Sequence, residues 1–523
     1  MIRDLSFEIA VIGGSLGGCL AAYSAAKSGK KVVLTEESDW IGGQLTSQAV
    51  PPDEHRWIEQ FGCTKTYRKF RNDVRGYYRS NYPLTSDAMK NDRLDIGNSS
   101  VSRIAHEPKV SLQLLTTLLA PYVSNGSLTV MTCFKAVRAE VSEDEIQSVE
   151  LQHTGTKQQV KIKAEYFLDG TDVGELLPLT GTEYVTGAEA KEETGEPSAL
   201  DRTEPLDMQP VTHVAAIDYI EGEDHTIEKP ASYEFWKGFI PSYSPHSILS
   251  WYGPDSSTGK EKKFGMFDKD DDGLFALWSY RRIIDPSNFE KGFFKGDLTL
   301  LNWPQNDYFL GPIYEVTDEE AERHKKGAKE LTLSFLYWLQ TEAPRPDGGE
   351  GYPGIRLRPD VTGTEDGLAK APYIRESRRI KSQFRVDETH ISANCRDGAP
   401  KFFDTVGVGC YHIDLHITTV TNTFYYDNSY PFEIPLGAFI PVRMKNLIPA
   451  CKNIGTTHLT NGCFRLHPVE WNIGEVAGYL AAMSLDTGKR PAEIRNEPEL
   501  LQTFQNHLIQ QGIEIHWPHI TSI

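Results

Sequence analysis

A short apolar run, Phe7-Glu8-Ile9-Ala10-Val11-Ile12, leads straight into Gly13-Gly14-Ser15-Leu16-Gly17-Gly18. The Ala- and Leu-rich stretch Cys19 to Lys27 follows, stopped by Gly29, and then a second apolar run, Lys31 to Thr35, ends on Glu36-Glu37. Strand, tight turn, helix, strand, acid: this order constrains the chain to a right-handed βαβ unit on a parallel sheet. Each part has a physical role at a dinucleotide. Gly13 permits the turn, the helix N-terminus presents bare N–H groups and a positive dipole end to a pyrophosphate, and the acid accepts ribose hydroxyls. Glu36 lies 18 residues after Gly18, close to the ~20 that such a site needs. Ser15 stands where the middle glycine is usual, and its hydroxyl is itself able to meet phosphate. Gly13, Gly14, Ser15, Leu16, Gly17, Gly18, Glu36 and Glu37 are therefore the first candidate cofactor-binding residues.

A second loop extends this reading. After the acid comes Trp40-Ile41-Gly42-Gly43-Gln44-Leu45-Thr46. The glycine pair lets backbone pass close under a bulky group, and Gln44 and Thr46 bring hydrogen-bonding side chains; a simple nicotinamide site has no need of this loop. Tyr166 to Glu175 reads as a strand running into a glycine-punctuated acidic turn that contains Asp169 and Gly170. Near the C-terminus, Asn446 to Cys451 reads as another strand, followed by Lys452-Asn453-Ile454-Gly455 and by a small-residue helix around Gly474-Glu475-Val476-Ala477-Gly478. The N-terminus of that helix is expected to suit negative charge on a reduced flavin ring.

Taken in order, G-G-S-L-G-G, W-I-G-G-Q-L-T, D-G-T-D-V-G-E, R-E-S-R-R-I (375–380) and G-E-V-A-G resemble the bacterial FAD-dependent oxidoreductases of the glutathione-reductase/fumarate-reductase superfamily. The resemblance extends over nearly the whole chain. It implies an α/β fold: a Rossmann-like FAD-binding domain of glutathione-reductase type, assembled from both chain ends, with an inserted α+β substrate or cap domain. The corresponding boundaries are 1–200, 201–372 and 373–523. In such relatives the glycine turn and Glu36 hold the ADP half, Gly42 to Thr46 pass near the flavin, and the Gly474 helix points at its ring. No His in the Gly42–Thr46 block offers an attachment point, so FAD is expected to be non-covalent.

The remaining chain supports a soluble enzyme. Lys and Arg number 54 against 73 Asp and Glu, a net charge of −19. Such a surface repels phosphate backbones and anionic lipid. No apolar run is long enough for a spanning helix, Met1 to Glu8 shows no charged-then-apolar leader, and a cytoplasmic location is expected. Seven Cys without a C-x-x-C pair give no metal cage, so no metal is expected. Asp268 to Gly273 opens like a calcium loop, but Ser279 stands where a bidentate Glu is needed. Gly349 to Gly354 spells a second G-x-G-x-x-G without a preceding strand and with Pro353 inside it, which argues for a single nucleotide site. Glu107-Pro108 opens a helix through Leu119. Leu128–Met131, Phe134–Val141, Ser148–His153 and Gln159–Ile162 read as a β-meander, and Glu319 to Thr341 as a helix.

A flavin enzyme also needs a proton acceptor or donor and polar groups that hold the substrate. Three segments offer candidates. Arg375-Glu376-Ser377-Arg378-Arg379 concentrates cations: a clamp for a substrate carboxylate or hydroxyl, Arg375 first, or domain-junction positioning, against ion-paired structural arginines between domains. His412, Asp414 and His416 fall on one side of a strand by period two. His467, just before the Gly474 helix, is the favoured general acid/base, with His416 as the second choice. Asn302 to Tyr308 looks like a loop with an aromatic shelf and amides, suited to a polyhydroxyl or aromatic substrate; tight-turn packing is the competing reading. The activity that follows is hydride transfer between a small polar organic substrate and flavin N5, with an external electron acceptor or oxygen closing the cycle. A flavin-containing isomerase or hydratase, a scaffold that keeps FAD only as structure, and an NAD-dependent dehydrogenase are the alternatives.

Overall fold

Ile9–Ile12 (β1) is apolar on both faces and wholly buried, as a central parallel strand must be. In the computed structural model, which describes residues 3–267, 273–398 and 400–518, it pairs in parallel with Val32–Glu36 (β2). The crossover is the helix Leu16–Lys27 (α1). A second crossover through Pro108–Ser124 (α2) brings Leu128–Thr132 (β3) parallel to β2. On the other side, Tyr166–Asp169 (β4) pairs in parallel with β1, and Leu447–Pro449 (β5) with β4. The five-stranded order is thus β5-β4-β1-β2-β3, so one sheet draws strands from both ends of the sequence. The expected meander is corrected at its first strand: β3 belongs to this parallel sheet. Phe134–Ser142, Glu145–His153 and Gln159–Lys163 form the antiparallel run, with Arg3–Ser6 added in parallel at its edge.

A second core is built from aromatic residues of the middle of the chain, among them Trp236, Trp278, Trp303, Phe335 and Trp338. Its antiparallel sheet joins Arg282–Ile284, Leu298–Leu301, Ala215–Tyr219 and Ile355–Leu357. The helix Asp318–Thr341 (α3) closes it, and Thr317 with Glu320 forms a reciprocal cap at its start. The calcium-like stretch lies, at positions 268–272, outside the described residues.

The C-terminal small-residue helix starts earlier than expected. It spans His467–Thr487 (α4), with Pro468 in its first turn, where a missing N–H is harmless. Gly474 therefore sits two turns in, not at a helix end. It allows α4 to press on α1: a Cβ there would stand 2.1 Å from the Gly17 carbonyl oxygen. Among the described residues no helix is long and apolar enough to cross a membrane, and the seven cysteines are free.

Candidate functional site

The glycine turn joins β1 to α1 with Gly13 at φ +96°. Ser15 is the N-cap of α1, and its hydroxyl accepts from the Gly18 N–H at 3.2 Å. This gives the substituted middle position a local task that serine performs well. Glu36, ending β2, accepts from the Gly14 N–H at 2.9 Å through one oxygen and from the Ser38 N–H through the other. Burial pushes its carboxyl up to about 8, against the lowering effect of Ser38. Glu37 lies on the outer side, 3.6 Å from Lys135. The Gly17 N–H, in the first turn of α1, already holds an anion: it donates to Glu470 Oε1 at 3.0 Å. A helix end that seats a carboxylate, next to an acid at the following strand end, is a donor and acceptor set that fits a dinucleotide's pyrophosphate and ribose.

The Gly42–Thr46 loop lies directly on this turn. The Gly42 N–H donates to Gly14 O at 2.7 Å, and a Cβ on Gly43 would stand 3.0 Å from Ser15 Cα. Gln44 donates to Arg465 O at 3.2 Å and to the Glu470 carboxylate, while Thr46 bonds Ile41 O; Leu45 is buried. Asp169 is spent on its own turn, accepting from Thr171 and from the Leu176 N–H, and burial pushes it up to about 6. Gly170 packs back to back with Gly13, and Asn453 ties β5 to β4 by donating to Asp169 O at 3.1 Å. The same segment carries the Lys452 ammonium, fully buried and 2.6 Å from Asp172.

Beyond Thr46 the backbone continues to Asp53, which faces a cavity of about 280 Å³. Three Arg–Asp pairs line it. Arg281 grips Asp53 with both terminal nitrogens at 3.1–3.4 Å. Arg375 donates to Asp307 Oδ1 at 2.9 Å, and also to Thr212 and Pro210 O. Arg465 bonds Asp414 Oδ2 at 3.0 Å and the Tyr373 hydroxyl at 2.7 Å. His416 stands between two of these pairs, with Nδ1 2.6 Å from Asp307 Oδ2 and Nε2 3.7 Å from Asp414 Oδ2. Burial alone would raise Asp307 and Asp414. Arg375 and His416 nevertheless hold Asp307 at about 2, and His416 and Arg465 do the same for Asp414. An ionised Asp307 only accepts, so the Nδ1 of His416 that faces it donates.

Several expected residues meet in this cavity: Arg375, His412, Asp414 and His416 all line it. Asp414 lies in the short strand Ile413–Leu415, and the two histidines flank it. The arginine cluster divides. Arg378 pairs with Glu315, and the fully buried Arg379 with Glu189 and Glu376. The Asn302–Tyr308 segment contributes Asp307, whereas Trp303 is buried in the second core. Three expectations are corrected. His467 is wholly buried, its Nδ1 accepting from the Asp53 N–H and its Nε2 bonded to Val50 O, and burial lowers it to about 3. Both nitrogens are used to fix the loop. Gly474 serves helix packing. Glu475 accepts from Thr64, Thr66 and Trp471, away from the glycine turn. No local pattern marks Asp53, Arg281, Tyr373 or Arg465 as site residues, and Asp307 is marked only through the Asn302–Tyr308 segment.

A family model described as FAD dependent oxidoreductase matches residues 8–508. The digeranylgeranylglycerophospholipid reductase of Methanocaldococcus jannaschii is 33% identical over 78 residues, 14% of this chain and 19% of that protein. The chain thus matches about a fifth of the length of that curated relative. The geranylgeranyl bacteriochlorophyll reductase-like protein of Thermoplasma acidophilum is 11% identical, with 98% of this chain and 85% of that chain covered at a TM-score of 0.31. A variant of E. coli quinol fumarate reductase is 10% identical, with 98% and 74% covered at a TM-score of 0.33.

Proposed function

The chain belongs to the FAD-dependent oxidoreductase family and uses FAD, and from that premise we propose that it oxidises a hydroxyl group of a small polar organic molecule seated in the Arg–Asp cavity. The observation that carries this reading is His416, held in the cavity wall with its Nδ1 2.6 Å from Asp307 Oδ2. Gly13 to Gly18 and Glu36 would hold the ADP half of FAD, and Gly42 to Thr46 its flavin end, without a covalent bond. When bound, FAD supplies the hydride acceptor, and an external carrier or oxygen takes the electrons onward. His416 takes the hydroxyl proton at Nε2 as the adjacent C–H bond breaks and the carbon becomes a carbonyl. Arg375 is a positioning residue. Its guanidinium is committed to Asp307, Thr212 and Pro210 O, and through Asp307 it sets the orientation of His416. The chain region 201–372 supplies Arg281 and Asp307, and 373–523 supplies Arg375, Asp414, His416 and Arg465, so both would set substrate choice.

The test is anaerobic loss of flavin absorbance on mixing with sugars, hydroxy acids, amines and unsaturated acids. His416→Gln should slow that loss by about 100-fold or more, the usual contribution of a positioned base, with FAD content unchanged. A wild-type rate in this variant overturns the assignment. Product formed without loss of flavin absorbance or consumption of an acceptor would favour the isomerase reading.

A further inference from the structure

Resting on the reading of the Arg–Asp cavity as the substrate site, we infer that the substrate is an uncharged, polyhydroxylated ring of monosaccharide size. The charges of the wall are balanced. Arg281, Arg375 and Arg465 are each buried and each paired with one of Asp53, Asp307 and Asp414. Lys262 is 3.0 Å from Asp255, and His416 stands between Asp307 and Asp414 at 2.6 and 3.7 Å. A carboxylate or an ammonium brought into this set would find no unpaired counter-charge. It would have to break an existing pair, and an uncompensated buried charge is strongly unfavourable.

What the wall does leave over is hydrogen-bonding capacity of both kinds. The paired side chains stay partly open in the wall, Arg281 at 9% exposure, Asp414 at 12% and His416 at 28%, so donors and acceptors of the pairs still face the cavity. A hydroxyl both donates and accepts, so a ring bearing several of them satisfies guanidinium donors and carboxylate acceptors together. A ketone or an ether offers acceptors alone. Aromatic side chains form much of the remaining lining, including Tyr243, Phe264, Phe275, Phe309, Phe424 and Tyr426. They offer flat apolar surface to the C–H faces of a saturated ring, while the polar edges of that ring meet the ion pairs. At about 280 Å³ the cavity is roughly twice the ~150 Å³ that accommodates benzene, so a substituted six-membered ring fits in it.

The experiment uses the FAD-loaded enzyme and matched probes: neutral hexoses, pentoses and cyclitols, the corresponding uronic acids, and the corresponding amino sugars. Affinity is read from perturbation of the flavin absorbance and from protection against thermal unfolding, and reactivity from anaerobic bleaching. At least one neutral ring should bind ten-fold or more tighter than its acid and amine counterparts, and it should bleach the flavin. Asp414→Asn should weaken that neutral ring about ten-fold or more, since a hydrogen bond to a charged group is lost. Bleaching by an acid or an amine with no neutral ring bound overturns the inference and leaves the redox reading standing. Unchanged affinity of the neutral ring in Asp414→Asn also overturns it. Failure of every member of the panel to bind or bleach sinks the cavity assignment itself.

Discussion

The seam between α1 and α4 allows a prediction worked directly from distances. Gly474→Ala would place a methyl 2.1 Å from Gly17 O and 2.8 Å from Gly17 C and Cα. Non-bonded carbon is not found below 3.0 Å, so one helix has to retreat by about 1 Å in a close-packed interior. α1 has nowhere to go, because a Cβ at Gly17 would itself stand 1.9 Å from Ala450 O at the end of β5. α4 must move instead, and Gly478, whose Cβ position is 2.2 Å from Ala21 O, moves with it. A gap of that size forfeits a quarter to a half of each dispersion contact, and overpacking of this kind costs about 3 kcal/mol. The control is Gly76, inside the helix Lys65–Asn81 with nothing within 4 Å of its Cβ position. Gly76→Ala should stabilise by about 0.5–1 kcal/mol through helix propensity. Urea unfolding followed by tryptophan fluorescence measures both. Because α1 carries the glycine turn at its N-terminus, Gly474→Ala should also release FAD at lower urea, seen as recovery of free-flavin fluorescence. A Gly474→Ala protein with wild-type midpoint and full FAD content would refute the packing argument.

His467 gives a pH-dependent prediction. Burial lowers its folded pKa to about 3, so below its ordinary value of about 6.5 only the unfolded chain takes up the proton. Stability is then lost as pH falls from 6.5 towards 3, by about 2 kcal/mol at pH 5 from this residue, and His467→Gln should show a shallower fall of urea midpoint between pH 7 and pH 5; equal slopes would exclude it as a contributor. Glu36→Ala removes the acid paired with the Gly14 N–H, and titration of apoprotein with FAD should show affinity weakened about ten-fold or more. Unchanged affinity would count against the ribose assignment.

Legibility in the sequence followed the range of the interaction. The turn at Gly13–Gly18, its helix and Glu36 are decided within about thirty residues, and there turn chemistry and apolar runs were sufficient. β5 was legible as a strand, whereas its place beside β4 depends on residues nearly three hundred positions apart, Phe167 opposite Leu447. The start of α4 was misread because the small residues after Ile473 drew attention, although Pro468 already marked the first turn. The cavity was the least legible part. Its partners are 228 residues apart for Asp53 and Arg281, 109 for Asp307 and His416, and 51 for Asp414 and Arg465, so no spacing rule reaches them. A weaker physical signal was nevertheless present. Asp414 lies between Ile413 and Leu415, and Arg465 between Phe464 and Leu466. A single charge between apolar neighbours is carried into the interior with them, and a buried charge without an opposite partner is not tolerated. Each such residue therefore implies a counter-ion elsewhere in the chain, and where several of these obligations meet around a cavity, the pairs that satisfy them become the surface a substrate encounters.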